Sequence, residues 1–297
     1  SEVHILISKA IQEGIYPENV LFNNLVVVDK KLREKILQDK DGHSGDISPD
    51  KAKTALLSMI DVVRKNKIRC KAVELEGNSP DTLSKFIDGN LAQYIYLLHP
   101  QHVDMSDVNQ MKTWGLNNLS VILLVKLPNV SALLTGDLEP DGWDKVKEII
   151  LDSGLETENN ILKFPHHGAW RRNDANNFFE FLNPSVVVIS VGTNNKYGHP
   201  NNNLFDVFSK HPNTRILCTQ VTEQCGTNVE QSSEEIKNAI TGNGDFEYLA
   251  NKKGCSCAGS VIIQLSDRIE VLRPYIDNHI NSIIKKYFIR HKCVLPT

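Results

Sequence analysis

The chain has 297 residues and carries 33 basic against 36 acidic side chains, a formal charge of −3, so bulk charge drives neither nucleic-acid nor membrane binding and any such contact needs a local basic patch. A 40% hydrophobic and 23% charged composition excludes wholesale disorder, and the length, at roughly 150 residues per domain, allows one large domain or two small ones. No apolar run reaches the ~20 residues of a spanning helix and no signal-peptide pattern opens the chain; six cysteines are too few for a disulfide scaffold, so a reducing, cytoplasmic compartment is expected.

Short apolar, β-branched runs alternate with amphipathic stretches. Val3, Ile5, Leu6, Ala10 and Ile11 predict a first helix that stops at Gly14, followed by one or two strands within Asn19 to Val28. Ser48-Pro49-Asp50 is a helix start: a hydroxyl cap, a proline at the first position and an acid facing the dipole. Its helix carries Ala52, Ala55, Leu56, Met59, Ile60 and Val63 on one face. The same chemistry at Ser79-Pro80-Asp81 predicts a second helix through Leu83, Phe86 and Ile87.

Strands are expected at residues 68–75 and 94–98. The apolar runs 119–127 and 131–135, joined by Pro128-Asn129-Val130, predict a hairpin. Further strands are expected at 161–164, 186–190, 215–218, 259–265 and 268–272, with helices at 142–152, 174–182 and 203–209. From Val221 to Lys253 the chain turns polar, which predicts an insertion with one helix at 233–240. Pro274 to Ile289 predicts a closing helix whose basic end, through Lys285, Lys286, Arg290 and Lys292, faces solvent. Tight hairpins near 128 and 266 favour mixed sheets covered by helices over a doubly wound parallel sheet.

Three strand ends carry metal-ligand residue types. Leu133-Leu134-Thr135 runs into Gly136-Asp137; Leu162-Lys163-Phe164 into Pro165-His166-His167-Gly168; Val186 to Ser190 into Val191-Gly192 and on to Gly198-His199-Pro200. Strand carboxyl ends are where α/β folds gather reactive side chains. A carboxylate can bridge two cations and neutral imidazoles complete their coordination. Each motif alone is as readily a turn; it is their order, with helix-length connections between, that points to a site. Asp137 is expected to be buried there, where an unpaired carboxylate is costly.

Together with Asn117-Asn118-Leu119-Ser120-Val121, these motifs resemble the metallo-β-lactamase fold, in particular the hydrolase domain of ComEC-type DNA-uptake proteins and its stand-alone relatives. The resemblance implies an α/β (α+β), four-layer αββα sandwich over residues 1–220, a polar Cys-flanked insertion at 221–258, and a hairpin and helix of the same domain at 259–297. It implies two divalent ions, Zn or Mn, with Asp137 as bridging ligand, His199 as a late ligand, and His166 and His167 as ligand or transition-state donor, the two roles not being separable. Asn117 and Asn118 fall where other members carry a metal-binding histidine. The family's His-x-His-x-Asp-His element is absent from these residues. It should precede the first helix, and Val3 to Gly14 has the place of that helix. The expectation is therefore a domain lacking its amino-terminal strands, with the metal site completed by a missing segment or a partner protein.

Two further groups are candidates. Cys218, Cys225, Cys255 and Cys257 bracket the polar insertion and could staple it with a structural zinc; alternatively Cys218 is a buried strand residue and the others are surface thiols. Cys70 and Cys293 are expected to be bystanders, and His99 and His102 to belong to a strand-end turn. Trp170 beside Arg171 and Arg172 could stack a base and pair a phosphate, or simply begin a solvated helix. The expected activity is that of a metal-dependent phosphodiesterase acting on DNA, without membrane attachment. The alternatives are a non-catalytic interaction domain and a hydrolase of small esters or phosphodiesters.

Overall fold

The computed structural model describes residues 19–23, 62, 65–73, 75, 79–85, 89–100, 116–155, 157, 160–192, 195, 197–222, 224, 257–259 and 261–274, with backbone only at 19–23 and 69–73 and at Leu116 and Leu119. The expected helices at 3–14, 50–63, 233–240 and 274–289 fall outside them, as do His102, Cys225, Cys255 and Cys293. Among the described residues no helix is long and apolar enough to cross a membrane. The chain divides into two compact units, Ser1–Ile122 with Asp141–Gly154, and Leu123–Pro140 with Leu155–Thr297.

In the first unit β1 (Asn19–Asn23) pairs in parallel with β2 (Arg69–Val73). A second pair is antiparallel: β3 (Asp81–Thr82) matches Asp81 with Leu97 and Thr82 with Tyr96 of β4 (Ile95–His99). This corrects the helix expected after Ser79-Pro80. The cap chemistry is present, but Asp81 and Thr82 are taken by the ladder and only a 3-10 turn (Leu83–Lys85) follows within the described residues. Asp81 is then neutralised by Lys85 four residues on.

Helix α1 (Pro140–Ser153) also belongs here, apart from its first residue. Proline opens it, Asp141 lies in its first turn, and Gly142, Trp143, Val146, Ile149 and Ile150 form the buried face, the 3.6-residue spacing of a half-buried helix. Asn118 Oδ1 accepts a hydrogen bond from Gly142 N at 3.2 Å, satisfying one of the orphan donors of a helix start. At the other end Ser153 Oγ donates to the Ile149 and Ile150 carbonyls, at 2.6 and 3.1 Å, and Gly154 leaves the helix at φ +64°. His99 closes β4 fully buried, its Nε2 2.5 Å from the Asn118 carbonyl, in keeping with a strand-end role.

The second unit is built on a mixed sheet. The hairpin expected around Pro128 is present: β5 (Ile122–Lys126) and β6 (Ser131–Leu134) run antiparallel, and Leu127 N donates to Val130 O at 2.9 Å to close the turn. From β6 onward the strands are parallel, in the order β6, β7 (Asn160–Lys163), β8 (Val186–Ile189), β9 (Arg215–Cys218). One face carries Ala132, Ile161, Val186 and Leu217. Against it pack Val261, Ile263, Leu265, Ile269 and Val271 from the antiparallel ribbon of β10 (Ile262–Leu265) and β11 (Ile269–Arg273). Strand alternation turns Leu133, Leu162, Val187 and Ile216 to the other face, where they too are buried. Burial on both faces explains why these strands read as unbroken apolar runs.

Phe164, just beyond β7, is the hub of an aromatic cluster. Its ring centroid lies 5.8 Å from Phe178, 6.0 Å from Phe179, 6.2 Å from Phe208 and 6.1 Å from Trp170. Phe178 and Phe179 come from α2 (Arg172–Leu182), which ends in a left-handed Asn183, and Phe208 from α3 (Leu204–Phe208). Edge-to-face contacts at these separations add to the burial of large apolar surfaces. The β6, β7 and β8 carboxyl ends therefore rest on an interdigitated apolar floor, which holds the loops after them in place.

His211, after α3, packs its ring 5.3 Å from Phe179. Burial holds its pKa below the ordinary histidine range, with Lys210 adding to the fall and Glu180 opposing it. The folded state thus prefers neutral His211, and the unfolded chain takes up the proton first. The resulting stability is fully present above about pH 6.5 and is lost as pH falls from there towards the folded value. His211→Gln should therefore show a smaller drop in urea midpoint between about pH 7.5 and pH 5.5 than the parent protein. An undiminished drop would mean that His211 is not the group responsible.

Candidate functional site

Asp137, Glu139, Lys163, His166, His167 and His199 all lie in the second unit, Lys163 at the end of β7 and the others on loops that follow β6, β7 and β8. Thr135 Oγ1 donates to the Lys163 carbonyl at 2.5 Å, and Lys163 Nζ donates to the Gly136 carbonyl at 2.6 Å. These bonds tie the turn bearing Asp137 to the end of β7. Burial lowers the Lys163 pKa and the Asp137 charge opposes this. The ammonium spends its charge on backbone carbonyls and on offsetting the carboxylate.

The Pro165–Gly168 segment is a tight 3-10 turn in which His166 (φ 45°, ψ 46°) and His167 (φ 54°, ψ 19°) are both left-handed. Each such residue costs on the order of 1–3 kcal/mol, and such strain gathers at functional sites. The turn aims the two rings at different partners. His167 Nδ1 lies 2.6 Å from the Ser190 carbonyl oxygen. A carbonyl only accepts, so Nδ1 carries the proton and donates it. In the neutral ring Nε2 is then a lone pair, and it faces Asp137 Oδ1 at 3.5 Å. Two acceptors confront each other, an arrangement stabilised by a proton or a cation between them.

His166 turns instead to Glu139, with Nδ1 2.6 Å from Oε1. The approach is short but bent, so Nδ1 lacks a well-aligned hydrogen-bond partner; it is best described as an ion-pair contact. Hydrogen-bonding reach to Glu139 raises the His166 pKa most, burial opposes it, and the Glu139 and Asp137 charges raise it further against Lys163.

His199 is brought in by the loop after β8, its ring centroid 5.7 Å from that of His166, which in turn is 6.3 Å from that of His167. Asn195 braces this loop: Nδ2 donates to the Gly192 and His199 carbonyls at 2.7 and 2.9 Å, and Oδ1 accepts from His199 N at 2.6 Å. Burial lowers the His199 pKa, the charges of His166 and His167 lower it further, and Glu139 opposes.

The residues singled out by the sequence are thus gathered, with differences. Asp137 is not buried: its side chain is 46% exposed, so the burial cost expected of it does not arise. Trp170 is not a stacking surface. It is 2% exposed, donates Nε1–H to the Leu138 carbonyl at 2.8 Å and packs 4.8 Å from Phe178; an indole with a backbone partner and an aromatic neighbour fills the core better than the rim. Arg171 and Arg172 are exposed, and Arg172 Nη1 lies 3.7 Å from Asp206 Oδ2 of α3. Asn117 and Asn118 sit in the first unit in a 3-10 turn (Leu116–Leu119), where Asn118 is buried and serves α1 and His99. Cys218 and Cys257 are buried and not joined in a disulfide. They lie on adjoining backbones, Ala258 N donating to Cys218 O at 2.8 Å. Their expected zinc partners, Cys225 and Cys255, are outside the described residues.

Glu139 was not legible as a site residue: it precedes a helix-starting proline and reads as a first-turn acid. The Ser190 carbonyl and Lys163 carry no sequence signal beyond their places at strand ends.

Among the described residues no group of three or more His, Cys, Asp and Glu side chains is arranged to hold a metal ion. The donor set nevertheless fits one cation in part. Asp137 Oδ1 and His167 Nε2 present lone pairs to each other, and the backbone carbonyl behind Nδ1 is the usual orienting partner of a ligating histidine.

No family model matches the chain, and no solved structure matches it. The chain is 32% identical over 111 residues to ComE operon protein 3 of Bacillus subtilis (strain 168). That match takes in 37% of this chain and 13% of the relative's length, so the chain corresponds to a small part of that protein. The sequence similarity and a mixed α/β sheet with reactive residues at its strand ends are common ground with the resemblance drawn from the motifs.

Proposed function

We propose that this chain carries a metallo-β-lactamase-like αββα domain, and that it acts as a metal-dependent phosphodiesterase on DNA. One observation carries the reading: Nε2 of His167 faces Asp137 Oδ1 at 3.5 Å while Nδ1 lies 2.6 Å from the Ser190 carbonyl oxygen. Such a pair has a use for a cation that a turn does not. The similarity to ComE operon protein 3 supports the same direction.

Asp137 and His167 would hold a divalent Zn or Mn ion, with His199 alongside. When bound, the ion supplies Lewis-acid activation of water and neutralises charge on the phosphodiester. A second well-held ion needs ligands beyond those described. His166, whose pKa the neighbouring Glu139 raises, would donate a hydrogen bond to a phosphoryl oxygen as charge develops there. Lys163 keeps the Asp137 turn in register with β7, and Asn195 keeps His199 facing His166.

The test is cleavage of single-stranded and duplex DNA with Mn, Zn or Mg, next to a calorimetric metal titration. The expected result is cleavage that EDTA abolishes and one of the cations restores, with saturable uptake of that cation. Absence of specific uptake, together with no cleavage under any cation, would leave a non-catalytic interaction domain as the better description.

A further inference from the structure

We propose that Tyr197 is the stacking platform for a nucleobase of a single-stranded substrate beside the histidine cluster, an inference that rests on the phosphodiester reading above. The Tyr197 ring lies on that of His199, centroids 5.6 Å apart and planes within 15°, yet the residue remains 50% exposed. An aromatic ring laid flat on a site histidine and half open to solvent extends that histidine's stack outward. Every nucleobase has a π-face that can join such a stack, whatever its hydrogen-bonding edge.

The backbone that carries the ring is also held. It sits between Asn195, whose side chain fastens both Gly192 and His199, and Gly198, whose N–H donates to Asn195 O at 3.2 Å and whose carbonyl accepts from Gln224 Nε2 at 3.3 Å. A platform fixed beforehand loses little freedom when a ligand lands on it. Trp170, the other aromatic near the cluster in sequence, is committed to the core and cannot take this role.

The experiment measures binding of a labelled single-stranded oligonucleotide, and of an abasic strand of equal length, to the parent protein, Tyr197→Ala and Tyr197→Phe. Anisotropy is read in EDTA at low salt, so no cleavage intervenes. Tyr197→Ala should weaken the base-bearing strand about tenfold and leave the abasic strand unchanged, while Tyr197→Phe keeps the parent affinity. Equal affinity of Tyr197→Ala and parent for the base-bearing strand overturns the proposal, as do equal losses on both strands or no single-strand binding by the parent. Failure of the phosphodiester reading shows separately, as absence of cleavage of either strand once Mn, Zn or Mg is restored.

Discussion

Gly168→Ala is expected to destabilise the second unit by about 2–5 kcal/mol and to disable the site with it. Gly168 ends the histidine turn at φ +84°, and a Cβ there would stand 2.6 Å from Pro200 Cβ and 3.0 Å from Pro200 Cα. The left-handed backbone costs an alanine roughly 1–2 kcal/mol, and forcing atoms into a closed contact adds about 1–3 kcal/mol. Pro200 has no flexible end to swing aside, and Asn201 N is bonded to Gly168 O at 2.7 Å, so the two loops must separate. His199 precedes Pro200, and its 5.7 Å approach to His166 would open with them. Gly198→Ala is the matched control in the same unit: φ is +67° but a Cβ there meets only Gln224 Nε2 at 3.8 Å, an ordinary contact, leaving the conformational cost alone. Urea midpoints of the two variants measure the difference. If Gly168→Ala unfolds no earlier than Gly198→Ala, the loops do not close on each other as described.

That contact is where sequence legibility runs out. The strands from β5 to β9 could be read because their residues are buried on both faces, and unbroken apolar runs such as Val186 to Ile189 follow from that. Asp137, His166, His167 and His199 could be read because each follows such a run at a Gly or Pro. The reading failed where a residue's environment is made by distant chain. Ser79-Pro80-Asp81 has every local mark of a helix start, but pairing with Leu97 and Tyr96 overrides the cap, since a ladder with a buried neighbour outweighs a few tenths of a kcal/mol of propensity. Trp170 lies between a histidine turn and two arginines and reads as rim; only the fold shows the Leu138 carbonyl waiting for its N–H. Glu139 has no signal because its partner His166 is 27 positions on. The different partners of His166 and His167 depend on two left-handed residues, and neither composition nor spacing reports φ.

Asp137→Ala should separate chemistry from stability more cleanly than any other change at the site. The carboxylate is nearly half exposed and stands 3.5 Å from His167 Nε2, so its removal should shift the urea midpoint little, within about 0.5 kcal/mol. Its effect on DNA cleavage should be large. Partners that merely orient a ligand are worth about 10–100-fold in metal affinity or activity, so a group that itself contacts the cation should cost more than about 100-fold. Glu139→Gln belongs to the weaker class: it leaves Asp137 and His167 in place and removes only the charge beside His166, so cation uptake should persist while turnover falls by about 10-fold. The pair of variants reads the site in two parts, uptake of Mn or Zn by titration and cleavage by assay. Asp137→Ala losing both, and Glu139→Gln losing only the second, assigns His167 with Asp137 to the ion and His166 with Glu139 to the phosphate. Digestion of DNA by Asp137→Ala at the parent rate would remove Asp137 from the mechanism, and with it the reason for placing a cation between that carboxylate and His167.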